Sequence, residues 1–297
     1  MSRLSKSLRK NAVCYAYVAP FIILFFLFTV LPVIGSMVLS FTDYNIVQSP
    51  HFVGVKNFVT LFFNDEIFIK ALVNTLTMAL IIGPFSYIGA LLLAWLLNEL
   101  SRGMRTLLVF LIYAPSISGN AYMIWTLLFS GDQLGFVNAY LLRLGIVSTP
   151  IQWLTDTRYM MTLVLLVSMW VSMGVQFLSF VAAFQGLDKS LAEAGAVDGI
   201  HNRWQELWFI ILPQMKPQML FGAVISISVG FSVGGVGAAL AGIPSTDYAV
   251  HTLINHMDDY AGMRYEYGYA CAIAAILFLM MLGFNQVVGR FLKGVGT

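Results

Sequence analysis

Six long stretches of the chain contain no Asp, Glu, Lys, Arg or His. They cover residues 14–41, 72–97, 106–130, 159–184, 218–241 and 268–289. Each is long enough to cross the roughly 30 Å hydrocarbon core of a bilayer as a helix, and far longer than a barrel strand. Because a spanning segment must satisfy its own backbone polar groups, the sequence predicts an all-α integral membrane protein. We expect one domain over residues 1–297 with about six transmembrane helices.

The composition also indicates lipid as the main solvent. The chain has 297 residues, of which 59% are hydrophobic and 10% are charged, whereas a soluble domain carries about 25% charged residues. The net charge of +2 is too small to suggest a nucleic-acid partner. Cys14 and Cys271 lie in separate apolar stretches without a nearby Cys or His, so we predict no metal site.

The positive charges predict the orientation. Eleven of the 16 Lys and Arg residues fall on one side if the N-terminus is cytoplasmic, and nine of the 14 acids fall on the other. The positive-inside rule then places both termini in the cytoplasm. The first apolar stretch exceeds the roughly 7 to 15 residues of a signal-peptide core, so we interpret it as a retained span.

Several kinds of chemistry are missing from the sequence. A proton-coupled carrier uses ionisable groups at membrane depth, and the six stretches have none. The sequence has no Gly-rich phosphate-binding motif ending in Lys and Ser or Thr, so we expect no ATP site or other cofactor in this chain. No nucleophile–base or metal pattern suggests an enzyme.

The predicted cytoplasmic loop at 185–217 carries the most informative pattern. Small residues from Ala192 to Ala196 predict a short helix, Asp198-Gly199 predicts a turn, and Pro213 and Pro217 end a second helix. Trp204, Leu207, Trp208 and Ile211 recur at helical spacing, which is typical of an amphipathic helix under a membrane. Periodicity alone leaves open a loop that only anchors itself at the interface.

The residues of this loop resemble a known motif. Glu193-Ala194-Gly195, Asp198-Gly199 and Ile210-Ile211-Leu212-Pro213 are similar to the EAA signature of ABC importer permeases. In that family the motif marks a coupling helix that docks on the ATPase, which implies this role for Glu193, Ala194, Gly195, Asp198 and Gly199. Gly195 departs from the usual second Ala, and the stretch from Gly199 to Ile210 is one residue longer than the common pattern.

Most of the chain resembles the maltose and multiple-sugar permeases. The resemblance is carried by Leu31-Pro32, Leu39 to Asp43, Val53 to Phe58, Asn74 to Leu76, and Trp170 some 23 residues before Glu193. It implies a bacterial plasma membrane, a second homologous permease, two ATPase subunits that bind ATP and Mg, an extracytoplasmic solute-binding protein and a sugar substrate. The match weakens where Gly242 to Tyr248 replaces the family's Gly-Gly-Pro loop.

A polar stripe is predicted within the fourth span. Ser168, Ser172, Gln176 and Ser179 follow helical spacing on an otherwise apolar segment, and sugars are bound by hydroxyl and amide groups with aromatic faces. The resemblance assigns sugar contacts to this segment, although Val175 cannot make one. Further candidates are Ser226, Ser228, Phe231 and Ser232 in the fifth span and Asn120, Tyr122 and Trp125 in the third.

Some alternatives remain open at this stage. The serines are also compatible with hydrogen bonds to their own helix, and the aromatic residues with an interfacial belt. The glycines of the fifth span indicate either close helix packing or a broken helix. The solute is a sugar, a polyol or glycerol phosphate, and a carrier that works without an ATPase is the alternative mechanism.

Overall fold

The computed structural model describes residues 12–119 and 121–294. Within them the chain is helical, with isolated β-bridges such as that of Thr42 and Phe52. The α-helices are α1 Ala12–Phe25, α2 Leu31–Leu39, α3 Lys56–Phe63, α4 Glu66–Asn98, α5 Arg102–Ile117, α6 Met123–Leu128, α7 Phe136–Arg143, α8 Thr157–Ser172, α9 Gly174–Gln185, α10 Lys189–Val197, α11 Arg203–Glu206, α12 Leu212–Gln214, α13 Lys216–Phe231, α14 Gly234–Ala241, α15 Leu253–Asp258 and α16 Tyr267–Gly294. π-helical turns connect α1 to α2, α11 to α12 and extend α15.

Four helical segments are long and apolar enough to cross a membrane. They are Val13–Leu39, Glu66–Asn98, Lys216–Ala241 and Tyr267–Phe291, and α8 with α9 makes a fifth if this pair, bent by 42°, counts as one span. These five segments overlap five of the six predicted spans. The prediction of an all-α membrane protein is therefore confirmed.

The remaining predicted span, 106–130, is not one helix. α5 ends at Ile117, Ser118 is extended, and α6 begins only at Met123. Pro115 in the last turn of α5 lacks a backbone N–H, and the serines and glycine that follow it are poor helix formers. The predicted site residue Asn120 lies outside the described residues.

α4 is the helix around which much of the chain packs. It runs for 33 residues, and the Asp65 side chain caps its N-terminus by accepting a hydrogen bond from Phe68 N. Glycines allow α13 to approach it closely, because a Cβ at Gly230 would lie 3.2 Å from the Ala79 Cα and one at Gly83 would lie 3.7 Å from the Ser226 carbonyl oxygen. α9 packs on α4 through Phe177 and Phe180.

The fifth span has close helix contacts at its glycines and one irregular turn. Gly222 and Gly230 lie at close contacts, since a Cβ at Gly222 would meet the Phe180 ring at 2.7 Å. The helix also has an irregular turn at Ser232 and Val233, between α13 and α14.

The described chain forms two compact units. One comprises the residues up to Asn64 together with Met257–Ile276, and the other comprises Asp65–His256 and the segment from Leu277 onward. In the first unit Asn57 Nδ2 donates to the carbonyl oxygens of Ser40 and Thr42, at 2.9 and 2.8 Å. This joins two of the segments that resemble sugar permeases. All the site residues described below lie in the second unit.

Candidate functional site

The helix break between α8 and α9 lies in the middle of the predicted polar stripe. Ser116 Oγ of α5 donates to the Val171 carbonyl oxygen at 3.0 Å, beside the break. A Cβ at Gly174 would lie 2.3 Å from this hydroxyl oxygen, so the close approach of α5 depends on glycine. The bend therefore separates Ser168 and Ser172 from Gln176 and Ser179.

Two residues of the stripe place polar atoms in the interior without partners. Ser168 and Gln176 are fully buried. Neither Ser168 Oγ nor the two amide atoms of Gln176 has a hydrogen-bond partner among the described residues. Leaving a polar group unpaired costs about 1–3 kcal/mol, so fold stability alone does not favour these side chains. Ser172 is half-buried on the same helix as Ser168.

Trp125 belongs to a group of four aromatic side chains whose rings contact one another. Its ring stacks on Phe129 at 5.8 Å and meets the edge of Trp170 at 5.5 Å, and Phe129 contacts Trp153 at 5.6 Å. The Trp125 Nε1 atom is buried without a partner in the described chain. Trp170 belongs to α8, so the structure brings Trp125 against the helix of Ser168. Tyr122 is half-buried and packs against the same apolar cluster as Trp125.

The candidates on α13 have other environments. Ser226 and Ser228 donate to the carbonyl oxygens of Ala223 and Val224, within their own helix. Phe231 is buried against Ala79 and meets the Phe284 ring at 5.1 Å. These contacts are those of helix packing, and they give no support to a pathway role for Ser228 or Phe231.

At its far end the polar stripe meets the 185–217 loop. Ser179 lines a cavity of about 320 Å³ together with Gln214, Gln218 and the small residues Ala182, Ala183 and Gly186. The volume is within the range of small-molecule pockets. Gln214 and Gln218 come from the segment that leads from the loop into α13.

The first helix of the loop, α10, has well-defined ends. Asp188 Oδ1 accepts a hydrogen bond from Ser190 N at 2.9 Å, and the hydrogen bonds from Ser190 lower the pKa of this carboxyl. At the other end Ile200 N donates to the Gly195 carbonyl oxygen at 2.9 Å, and Gly199 has φ +92°. This is a Schellman ending, which requires a left-handed residue. The predicted helix and Asp-Gly turn are confirmed.

Four of the five predicted coupling residues face outward. Glu193, Ala194, Asp198 and Gly199 are exposed, whereas Gly195 is buried. A Cβ at Gly195 would lie 2.3 Å from Ile210 Cδ1 and 3.3 Å from Ile200 Cδ1. The departure from the usual Ala thus allows the two loop helices to pack closely.

The second loop helix (203–214) begins at Asn202, whose Oδ1 accepts hydrogen bonds from Trp204 N and Gln205 N. Leu207 and Ile211 are buried in a cluster with Ala90, Ala94 and Leu97 of α4. Trp204 and Trp208 are exposed. The predicted apolar face is therefore buried at Leu207 and Ile211 and exposed at the two tryptophans.

Arg203 attaches this helix to the end of α4. Its Nη2 atom lies 2.7 Å from Glu99 Oε2, and its Nη1 atom lies 2.8 Å from Glu206 Oε2. The hydrogen bond to Glu206 and the charge of Glu99 raise the pKa of Arg203. Next to this pair, the rings of Trp204 and Trp95 lie 4.9 Å apart. A cavity of about 480 Å³ opens beside these side chains.

At the N-terminal end of α4, polar contacts hold segment 245–256 against the helix. Asn74 Nδ2 donates to the carbonyl oxygens of Tyr248 and His251, at 3.0 and 2.9 Å. Leu253 N donates to Thr75 Oγ1 at 2.9 Å. His256 Nε2 lies 3.0 Å from Asp65 Oδ2, and both side chains are almost completely buried. Segment 245–256 is thereby fixed to the first three turns of α4.

A comparison with protein families identifies the family of this chain. Residues 84–295 match the model of the family described as "Binding-protein-dependent transport system inner membrane component". The chain belongs to this family.

Named relatives agree with this assignment over nearly the whole chain. The Probable ABC transporter permease protein YesP of Bacillus subtilis is 33% identical over 93% of this chain and 89% of that protein. The lactose transport system permease protein LacF of Rhizobium radiobacter is 30% identical over 90% and 89%. The sn-glycerol-3-phosphate transport system permease protein UgpA of Yersinia pestis is 30% identical over 82% and 81%.

A solved structure has the same fold. It is described as a bacterial ABC transporter involved in the import of the acidic polysaccharide alginate, and its matched chain superposes with a TM-score of 0.81, 25% identity and full coverage of both chains. A second structure shows such a transporter with an alginate pentasaccharide-bound periplasmic protein.

As a permease of this family, the chain has contacts that its motifs did not reveal. Glu99 and Arg203 are 104 positions apart, and nothing in either local sequence indicates that they meet. The partners of Asn74 and Thr75 were also not predicted, although both residues lie in a segment singled out by resemblance. Among the described residues no cluster of three His, Cys, Asp or Glu side chains is arranged to hold a metal ion.

Proposed function

We propose that this chain is one of two permease subunits of an ATP-driven ABC importer that carries a sugar or oligosaccharide. Its family membership supports transport by a binding-protein-dependent system. The buried polar atoms of Ser168 and Gln176, which have no hydrogen-bond partner among the described residues, carry the substrate proposal. They offer a hydroxyl and an amide to a hydroxylated solute, and Trp170, on the same helix as Ser168, contacts Trp125.

The relatives support the same class of solute. Those named for lactose and arabinooligosaccharides, and the alginate importer, handle carbohydrates. The relative named for sn-glycerol-3-phosphate makes this anion the second candidate. An anion favours basic groups along its path, and the six apolar stretches contain no Lys, Arg or His. A neutral sugar therefore fits this chain better than glycerol 3-phosphate or the acidic alginate.

In the proposed assembly, both termini and the 185–217 loop face the cytoplasm. The charge distribution supports this orientation. α10 docks on an ATPase subunit through the exposed residues Glu193, Ala194 and Asp198, with the Asp198-Gly199 turn fixing its end. Two ATPases supply ATP and Mg, a second permease completes the pore, and an extracytoplasmic binding protein delivers the sugar.

One experiment tests the assembly and the substrate together. The chain is tagged, expressed with its partner subunits, and purified in mild detergent, while uptake of lactose, arabino-oligosaccharides, alginate oligosaccharides and glycerol 3-phosphate is measured in cells. We expect ATP-dependent uptake of a sugar and a retained ATPase. Gly199→Val places a β-branched residue at φ +92° and should abolish both while membrane insertion is unchanged.

Other results would contradict the proposal. Uptake that persists after ATP depletion would identify a secondary carrier. Unchanged uptake and ATPase retention in the inserted Gly199→Val variant would remove the coupling role from α10. Saturable uptake of glycerol 3-phosphate with no uptake of the sugars would favour the second candidate.

A further inference from the structure

α4 is in contact with the 185–217 loop at one end and with segment 245–256 at the other. At its C-terminal end, Glu99 pairs with Arg203 at 2.7 Å and Trp95 meets Trp204. The second loop helix also buries Leu207 and Ile211 against the last turns of α4. The loop is therefore attached to α4 by both polar and apolar contacts.

The contacts at the N-terminal end are polar and buried. Asn74 and Thr75 bind the backbone at residues 248, 251 and 253, and Asp65 contacts His256. Groups of this kind have few alternative partners in the interior, so their geometry is strongly fixed. A displacement of the first turns of α4 must carry segment 245–256 with it or break these hydrogen bonds.

α4 is one continuous helix between these two ends. Its 33 residues correspond to about 50 Å at 1.5 Å per residue. A helix of this length is a suitable element for passing a displacement from one end to the other, because its backbone hydrogen bonds are internal except at Pro84, which has no N–H to donate.

We propose that Glu99 is a positioning residue that, through Arg203, fixes the second loop helix to α4. Displacement of α10 by the ATPase passes to the second loop helix through the close contact of Gly195 and Ile210, and from there along α4 to segment 245–256. This inference rests on the proposed function, because the ATPase is the source of the displacement.

The ion pair has a role that the apolar contacts do not fill. Packed apolar ridges resist separation but allow small sliding movements, whereas a hydrogen-bonded ion pair fixes one position along the axis. The Arg203 and Glu99 side chains are 61% and 43% exposed, so the pair adds little to fold stability. Loss of the ion pair should therefore change the amount of sugar transported per ATP rather than the stability of the fold.

The structure offers a matched control for this pair. Glu206 contacts the same arginine at 2.8 Å but belongs to the second loop helix itself, so it does not connect the loop to α4. Glu99→Gln and Glu206→Gln are thus the same chemical change beside the same cation. Only the first removes the link between the loop and α4.

The test uses the complete importer in proteoliposomes with its sugar-loaded binding protein. For Glu99→Gln we expect equal ATPase retention and thermal stability, with sugar transported per ATP reduced about twofold to fivefold, as for the loss of an exposed ion pair. Glu206→Gln should equal wild type. The charge-reversed variant Glu99→Arg with Arg203→Glu, made in the Glu206→Gln background to avoid repulsion, should restore the ratio.

Each outcome has a definite meaning. Equal ratios for Glu99→Gln and Glu206→Gln would overturn the inference, and so would a loss that charge reversal does not restore. In either case a retained ATPase and an inactive Gly199→Val variant would leave the proposed function intact. Failure of the unmodified chain to retain an ATPase would instead overturn the proposed function.

Discussion

Gly195 of the first loop helix lies so close to Ile210 of the second that a Cβ at position 195 would stand 2.3 Å from the Ile210 Cδ1 atom. The residue that departs from the usual EAA pattern is thus matched by a large side chain 15 positions later. We interpret the two residues as one structural unit. The consequence is that the common Ala is unfavourable here unless residue 210 becomes smaller.

Gly195→Ala should weaken the packing of the two loop helices. Overpacking costs typically 1–3 kcal/mol, and because Cδ1 is a terminal methyl group we expect about 1 kcal/mol here. ATPase affinity of the detergent-solubilised complex should fall about fivefold. Titration of the purified ATPase onto the tagged permease measures this change.

The double variant provides the control for this prediction. Ile210→Val removes the Cδ1 atom, so Gly195→Ala combined with Ile210→Val should bind the ATPase as tightly as Ile210→Val alone. Equal weakening in both backgrounds would show that the contact with Ile210 is not what requires glycine.

Gln176 should have opposite effects on stability and on transport. Both of its amide atoms are buried without a partner in the described chain. Gln176→Met removes these polar atoms at similar volume and should raise the free energy of unfolding by about 1 kcal/mol or more. If the amide binds sugar, the same change should lower uptake about threefold to tenfold, the value of one or two neutral hydrogen bonds.

Ser86→Ala is the matched control for Gln176. Ser86 is also fully buried, but its Oγ donates to the Gly83 carbonyl oxygen within its own helix. We expect unchanged uptake. Thermal unfolding of the purified complex and initial uptake rates measure both effects, and normal uptake by Gln176→Met would exclude Gln176 from the pathway.

Five of the six spans were predictable because apolar length alone identifies them. The loop was predictable in part, since Asp198-Gly199 is a strong turn signal, whereas the second helix continues past Pro213 to Gln214. The bend at Met173 was not, because it depends on Ser116 of another helix and on the absence of a side chain at Gly174. The hydrophobic periodicity of residues 159–184 gives no indication of that contact.

The candidate site could be predicted only in part for a similar reason. A period of 3.6 residues identified Ser168 and Gln176, and both are buried, but the same argument cannot distinguish Ser226, whose hydroxyl is satisfied by its own backbone. Segment 245–256 lies between the last two predicted spans, and nothing in its local sequence indicates that it is buried. Its burial depends on partners such as Asn74, which is more than 170 positions away in sequence.

Asn74→Asp should destabilise the fixed position of segment 245–256, although Asn and Asp side chains have nearly the same size. The Asn74 amide donates to two carbonyl oxygens, whereas a carboxylate of the same shape presents only acceptors to them. The two carbonyls lose their donor, at about 1–3 kcal/mol each. Hydrogen exchange of the backbone amides of 245–256 should accelerate.

Thr77→Val is the control for Asn74, one turn further along α4. Thr77 Oγ1 bonds to the Val73 carbonyl oxygen of its own helix, so this variant should exchange as wild type. Slow exchange of 245–256 in Asn74→Asp would show that the segment is held by other contacts.

Asp65 should also be a sensitive position at this end of α4, because one carboxylate serves two partners. Its Oδ1 atom caps the helix through Phe68 N at 2.9 Å, and its Oδ2 atom lies 3.0 Å from His256 Nε2. Asp65→Asn keeps one oxygen and can serve only one partner as acceptor, whereas Asp65→Ala serves neither. We expect a graded loss of unfolding free energy, about 1 kcal/mol for Asn and about 2–3 kcal/mol for Ala.

Glu66→Gln changes the neighbouring exposed acid and should have little effect. Denaturant unfolding of the purified protein measures the series, and equal losses for Asn and Ala would show that only one of the two contacts contributes.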